Sequence, residues 1–440
     1  VTLRDDDYLG VADRIGAQLA RDALWHGTRC NWTGDSMEFL EGRWQVAHRA
    51  LGAELYSGTS GVALFLARLS VATGERLYAQ VAAAAVEQAL SRADSLQPGS
   101  RSGLYAGALG VAWAGVHVAA EIDSPRTVEA CDRLLRTLHV ETLDREGLDV
   151  TSGSAGAICA LLDLADRSGH DPALAALLHA DALRHGERLL ATARRDARGI
   201  SWPGPGQSQG LCGLSHGAAG FAWALQALYR ATGHLPFRAA AEEALRYERS
   251  WFDPVEQNWP DLRSLDDDPT VAAALPVGGG PRRPSFMSAW CHGAPGIAMA
   301  RLASSGLGSD EICLAEAAAA ARSTAVATRL MLASGQANYS MCHGLAGNAD
   351  VLVEAARCGV EPGLMDLAHQ VAGAGLARHA RTGAPWPCGV LGGGETPSLM
   401  LGLAGIGHFY LRLHDPTLPT VLIVSLRVAP ARSATSKASA

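Results

Sequence analysis

Two short stretches of this chain share one chemical frame: Trp290-Cys291-His292-Gly293-Ala294-Pro295-Gly296 and Met341-Cys342-His343-Gly344-Leu345-Ala346-Gly347. Both read Cys-His-Gly-x-x-Gly, and their cysteines are 51 residues apart. Cysteine and histidine are the commonest protein ligands of zinc. One Cys-His pair is unremarkable, but two in the same frame point to a metal site. Cys291, Cys342 and His343 would give three protein ligands and leave a fourth position open, the pattern of a catalytic zinc. Adding His292 would close that position. The two motifs are locally identical, so spacing does not choose between the two imidazoles. Such a set suits a thiol guest, which zinc holds as the nucleophilic thiolate.

A third stretch, Ser215-His216-Gly217-Ala218-Ala219-Gly220, has the histidine without the cysteine. His216 is therefore expected to face the same centre as a general acid or base. The plainer reading is a structural histidine. Asp149 lies four residues before Gly153. It could orient His216 or exchange protons itself, although aspartate before a turn is commonly a cap. Cys30, Cys131, Cys159, Cys212, Cys313, Cys358 and Cys388 have no repeated polar frame and read as packing residues.

These frames belong to a longer repeat. Gly-x-x-Gly followed by an apolar helical run occurs seven times, with leading glycines at 58, 107, 153, 217, 293, 344 and 402. Each interval has room for two helices. Amphipathic runs such as Tyr78 to Leu90, Ala239 to Tyr247 and Cys313 to Leu330 fill the spacers. Strand signals are nearly absent. The expected fold is all-α, an α/α toroid or double ring of seven helix-pair modules. Closure into a ring would bring equivalent polar positions to one face. Residues 1–50 read as a helical extension outside the ring; they carry Asp5-Asp6-Asp7, a helix to Leu24 and a Trp-rich turn from Trp25 to Trp44. The toroid is expected over 51–428 and a disordered tail over 429–440. Residues 252–287 are the longest irregular stretch, the kind that is usually functional or mobile.

The bulk numbers fit this outline. Of 440 residues 48% are hydrophobic, ample for a core, and the net charge is −7. There is no basic stripe for nucleic acid, no apolar run of membrane-spanning length and no signal-peptide order. Nine cysteines, an odd count without small-scaffold spacing, argue for reduced thiols. The expected location is cytoplasmic.

The Trp290–Gly296 and Cys342-His343-Gly344 stretches resemble the zinc motifs of the lanthionine synthetase C-like cyclases. Gly213-Leu214-Ser215-His216-Gly217 is similar to that family's histidine motif, and Leu148-Asp149-Val150 with Gly153 to its aspartate motif. The likeness runs over roughly residues 50–425. It implies a double ring of helices, zinc on Cys291, Cys342 and His343, and proton transfer by His216 or Asp149. It also implies a reaction: conjugate addition of peptide cysteine thiolates to dehydroalanine or dehydrobutyrine. The implied partner is a dehydrated precursor peptide with a leader and a Ser/Thr/Cys-containing core. Asn258-Trp259-Pro260-Asp261-Leu262-Arg263 and Pro397-Ser398-Leu399-Met400 look most like the cyclase half of class II synthetases. The dehydratase half is not in this sequence, so a separate dehydratase or kinase/lyase is implied, or a longer parent protein. Some members carry an arginine shortly before the first zinc cysteine. Here Met287 stands four residues before Cys291, and Arg282 and Arg283 lie further away. Two other readings compete: a zinc-dependent thiol transferase acting on glutathione or another thiol, and a zinc-stabilised peptide-binding scaffold without chemistry.

Overall fold

The seven leading glycines each stand immediately before a helix in the computed structural model, which describes residues 5–40, 43–204, 206–264, 284–305 and 311–426. The chain opens with α1 (Asp5–Arg21) and two antiparallel hairpins, β1 (Leu24–His26) with β2 (Arg29–Asn31) and β3 (Thr33–Leu40) with β4 (Arg43–Ala50). Helix pairs follow: α2 (Thr59–Thr73) and α3 (Arg76–Arg92), α4 (Ala108–Ile122) and α5 (Pro125–His139), α6 (Ser154–Arg167) and α7 (Pro172–Thr192). A third hairpin, β5 (Arg194–Asp196) with β6 (Gly199–Ser201), precedes α8 (Ala218–Thr232) and α9 (Leu235–Arg249). The remaining described α-helices are α10 (Ala294–Ser305), α11 (Glu311–Ser334), α12 (Leu345–Arg357), α13 (Leu364–Gly375) and α14 (Leu403–His414).

Within a pair the two helices bury themselves differently, as their sequences dictate. In α2 every residue from Thr59 to Leu69 is buried, as expected of a helix that is apolar all round. In α5 only Thr127, Cys131 and Leu135 are buried, a single stripe at a spacing of four. The even-numbered helices form an inner ring in which each packs on the next and α14 returns onto α2. The α/α toroid is therefore the fold.

The first helix of the chain packs onto the ring. Six inner helices are followed by their outer partners, but among the described residues no helix follows α14. α1 fills that place by packing along α14. It is pinned on both flanks, with Tyr8 Oη 2.7 Å from His369 Nδ1 on α13 and Tyr78 Oη donating to Asp13 Oδ1 at 2.6 Å. The helix ends at Arg21 rather than near Leu24, and the Trp25–Trp44 region is two hairpins rather than a turn. A usable signal was present: Gly27-Thr28 makes the two-residue loop between His26 and Arg29, with Gly27 at φ +62°.

After α14 the chain runs inside the ring. Thr420 Oγ1 donates to Asp350 Oδ2 at 2.5 Å, and the Val421 and Leu422 carbonyls accept from Tyr105 Oη at 2.8 Å and Trp290 Nε1 at 2.7 Å. Val421 to Val424 are buried. No described helix is long and apolar enough to cross a membrane. Asp266-Asp267-Asp268, Gly278-Gly279-Gly280-Pro281, Arg282, Arg283 and the 429–440 tail lie outside the described residues.

Candidate active site

Equivalent residues of the modules meet because their turns are laced together by backbone hydrogen bonds. The amide of Tyr56 donates to Tyr105 O, Tyr105 to Thr151 O, and Val150 to Ser215 O. Trp290 donates to Cys342 O, Cys342 to Met400 O, and Met400 to Tyr56 O, which closes the circuit. At the junction between modules four and five the backbones approach instead. A Cβ on Gly213, which has φ +104°, would stand 3.2 Å from Cys291 O. The second glycine of each frame has an equally direct cause. A Cβ at Gly347 would lie 1.8 Å from Met341 O, and one at Gly296 would lie 2.2 Å from Trp290 O. The helix can start that close to the turn only where no side chain intervenes.

This circuit holds Cys291 and Cys342 side by side, with their thiols hydrogen-bonded to each other. The Cys342 S–H donates, which holds Cys291 below the usual thiol range and, with burial, pushes Cys342 well above it. The Tyr56 hydroxyl in turn donates to Cys342. Tyr56 occupies, in module one, the position that the cysteines occupy in modules five and six. His343 is kept neutral by burial, and its Nε2 lies 3.0 Å from Gly389 O. Donation through Nε2 leaves the Nδ1 lone pair for another partner.

A second cluster faces the same space. His216 Nδ1 lies 2.6 Å from Asp149 Oδ2, while Asp149 Oδ1 accepts from Ser152 N at 2.6 Å. Burial disfavours the imidazolium of His216, but the charge and hydrogen bond of Asp149 outweigh it, and the net shift is upward. The His216 side chain remains 36% exposed, enclosed yet reachable. His292 lies against it, with ring centroids 5.6 Å apart. Burial, reinforced by the charge of Arg263, pushes His292 down to about 3, so it stays neutral. The sequence-predicted residues Asp149 and His216 are thus joined directly, as are Cys291 and Cys342. His343 opens onto the same cavity, although no hydrogen bond joins it to the thiol pair.

The supports come from residues behind the turns. Asn258 Oδ1 accepts from Ala294 N at 2.9 Å, and its Nδ2 donates to Met287 O at 3.0 Å, fixing the Cys291-His292 turn from both sides. Glu248 Oε1 accepts from Gly213 N and Ala219 N, which fixes the His216 turn, and is itself held by Arg301 at 2.8 Å. Arg263, Tyr56 and Asn258 were not singled out as site residues by sequence reasoning. For Tyr56 the signal was available, because module equivalence places it at the cysteine position.

His216, Cys291, His292, Cys342, His343 and Arg263 all line a cavity of about 1330 Å³. Small-molecule pockets run to about 300–1,000 Å³, so this space suits a length of polypeptide. Among the described residues no three His, Cys, Asp or Glu side chains are grouped closely enough to hold a metal ion, so Cys291, Cys342 and His343 do not form a ready-made ligand set. The donor chemistry nevertheless fits zinc. Two thiols adjoin each other, and the neutral imidazole following Cys342 opens onto the same cavity.

Residues 49–425 match the family model described as "Lanthionine synthetase C-like protein". No curated protein matches the chain. Among solved structures, nisin cyclase is similar over 83% of this chain and 89% of its own, with a TM-score of 0.58 and 18% identity. An unsaturated glucuronyl hydrolase from Bacillus sp. GL1 aligns over 93% of this chain and 96% of its own, with a TM-score of 0.44 and 14% identity.

Proposed function

The chain belongs to the lanthionine synthetase C-like family, and on that premise we propose that it is a zinc-dependent cyclase forming lanthionine and methyllanthionine thioethers. The observation that carries this reading is one cavity lined both by a thiol pair, Cys291 and Cys342, and by His216, whose Nδ1 is held by Asp149. The similarity in fold to nisin cyclase supports it. Cys291, Cys342 and His343 would hold the zinc. When bound it would lower the pKa of a guest thiol and keep it as a thiolate.

The residues of the chain do the rest. The cavity admits a dehydrated precursor peptide and brings its cysteine sulfur to the β-carbon of a dehydroalanine or dehydrobutyrine. The new C–S bond forms as the C=C π electrons move onto the carbonyl oxygen. The enolate α-carbon then takes a proton from His216. Asp149 fixes the tautomer by accepting at Nδ1, which leaves Nε2 as the delivering atom.

Incubating the zinc-loaded chain with a dehydrated, cysteine-containing peptide, then alkylating free thiols and weighing the product, tests the reading. The expected result is loss of free thiols at unchanged peptide mass. A peptide that binds with its thiols intact would favour the scaffold. Addition of external glutathione in place of the peptide's own cysteine would favour the transferase.

A further inference from the structure

Thioether formation places negative charge on a carbonyl oxygen, and none of the groups assigned above answers it. His216 is committed to the α-carbon proton, and Met287 supplies no charge four residues before Cys291. Resting on the cyclase reading, we infer that Arg263 is the cation that stabilises the enolate oxygen, reaching the site from the Asn258–Arg263 stretch.

Arg263 lines the cavity together with His216, Cys291 and His292. Its guanidinium is gripped in a fork by Asp261, with Nε 3.0 Å from Oδ1 and Nη2 2.7 Å from Oδ2. Asp261 is buried and its side chain is only 2% exposed, whereas Arg263 keeps 23% of its side chain open. The ion pair is thus anchored on the protein side and accessible on the arginine side. Nη2 also lies 3.5 Å from Met287 Sδ, so the charge sits beside the residue four positions before Cys291. The backbone keeps it there, with Asp261 N donating to Ser285 O at 2.8 Å and Asn258 Nδ2 to Met287 O at 3.0 Å.

Among the described residues the other arginines that line the cavity come from different elements: Arg29 from β2, Arg49 from β4 and Arg92 from the end of α3. Arg29 donates to Ser91 and Arg49 pairs with Glu38, so both are engaged away from the histidine pair. A guanidinium keeps its proton throughout, so it can donate to the oxyanion without competing for the proton that His216 transfers. A fixed donor aimed at developing charge typically contributes about 10²–10³ in kcat.

The test compares the native chain with Arg263→Gln and Arg263→Lys, each zinc-loaded, on one dehydrated peptide. Zinc content, peptide affinity and cyclisation kinetics are measured on the same preparations. Uptake of deuterium at the α-carbon of a preformed thioether, which passes through the same enolate, is followed in parallel. We expect Arg263→Gln to retain zinc and peptide affinity while kcat and deuterium uptake both fall about 10²-fold or more. Arg263→Lys keeps the charge without the fork and should recover part of that loss. If Arg263→Gln cyclises at the native rate, loses zinc, or loses only peptide affinity, Arg263 is not the enolate donor. If the native chain itself forms no thioether, the cyclase reading falls and this assignment falls with it.

Discussion

Each residue of the site has a job that a substitution can separate from the others. Cys291→Ala or Cys342→Ala removes one of two adjoining sulfurs, and zinc and cyclisation should disappear together. His216→Asn leaves both sulfurs in place. It should keep zinc and peptide affinity but cyclise about 10²–10⁴-fold more slowly, the usual contribution of a positioned acid or base. Zinc content and rate measured on the same preparations decide the matter, and zinc loss from His216→Asn would mean that the imidazole is a ligand. The Asp149 contact gives this acid a pH signature. Asp149 raises the His216 pKa, so the imidazole keeps its proton to higher pH than a free one, and activity falls as pH rises through that raised value. Asp149→Asn removes the charge, and the falling limb of the kcat profile should move to lower pH. A limb that stays in place would assign the titration to another group.

At the scale of the element, the turn-to-helix junction decides whether those residues exist in the right place. The glycine that opens each frame ends the turn, and the glycine three residues later lets the helix lie against a carbonyl of the preceding turn. Gly347→Ala would drive a Cβ to 1.8 Å from Met341 O, directly before Cys342. A backbone atom cannot swing aside as a side-chain tip can. The expected cost is at least the 1–3 kcal/mol typical of overpacking, together with weakened zinc binding. Gly169→Ala, where nothing lies within 4 Å, serves as the control and should melt like the native chain. Equal melting temperatures and zinc contents for the two variants would overturn this account of the repeat. The strap inside the ring makes a comparable demand on Trp290. Trp290→Phe leaves the Leu422 carbonyl without its 2.7 Å donor. Leaving a buried acceptor unpaired costs about 1–3 kcal/mol, which denaturant unfolding can measure.

The whole molecule is a ring that closes through its first helix. α1 covers the face of α14 and meets the helices on either side. A chain lacking residues 1–23 should expose the apolar surface of α14 and lose cooperative unfolding. Adding a peptide of residues 1–23 should restore part of the melting transition. Unchanged melting of the shortened chain would return that segment to the role of an extension.

Much of this was legible in the residues because the information was periodic. Seven Gly-x-x-Gly frames, each followed by a largely apolar helix, dictated inner helices, because a helix apolar on most of its sides must be surrounded. Amphipathic spacers dictated outer ones. Equivalence between frames singled out Cys291, Cys342, His216, His292 and His343 without choosing between the last two, and could have singled out Tyr56. What the sequence could not reach was non-periodic and long-range. Nothing local in Asp5–Arg21 tells that its partner is a helix nearly 400 residues away, because an amphipathic stripe specifies that it will be covered and not by what. The same holds for Arg263, whose place beside His216 and Cys291 depends on the hydrogen bonds of Asn258 and Asp261 across the turn before Met287. His216 and Asp149 are 67 residues apart, and module equivalence alone does not fix their distance; the lacing of the turns sets the 2.6 Å contact. Local pattern determined which residues face inward. The closure of the ring decided which of them touch.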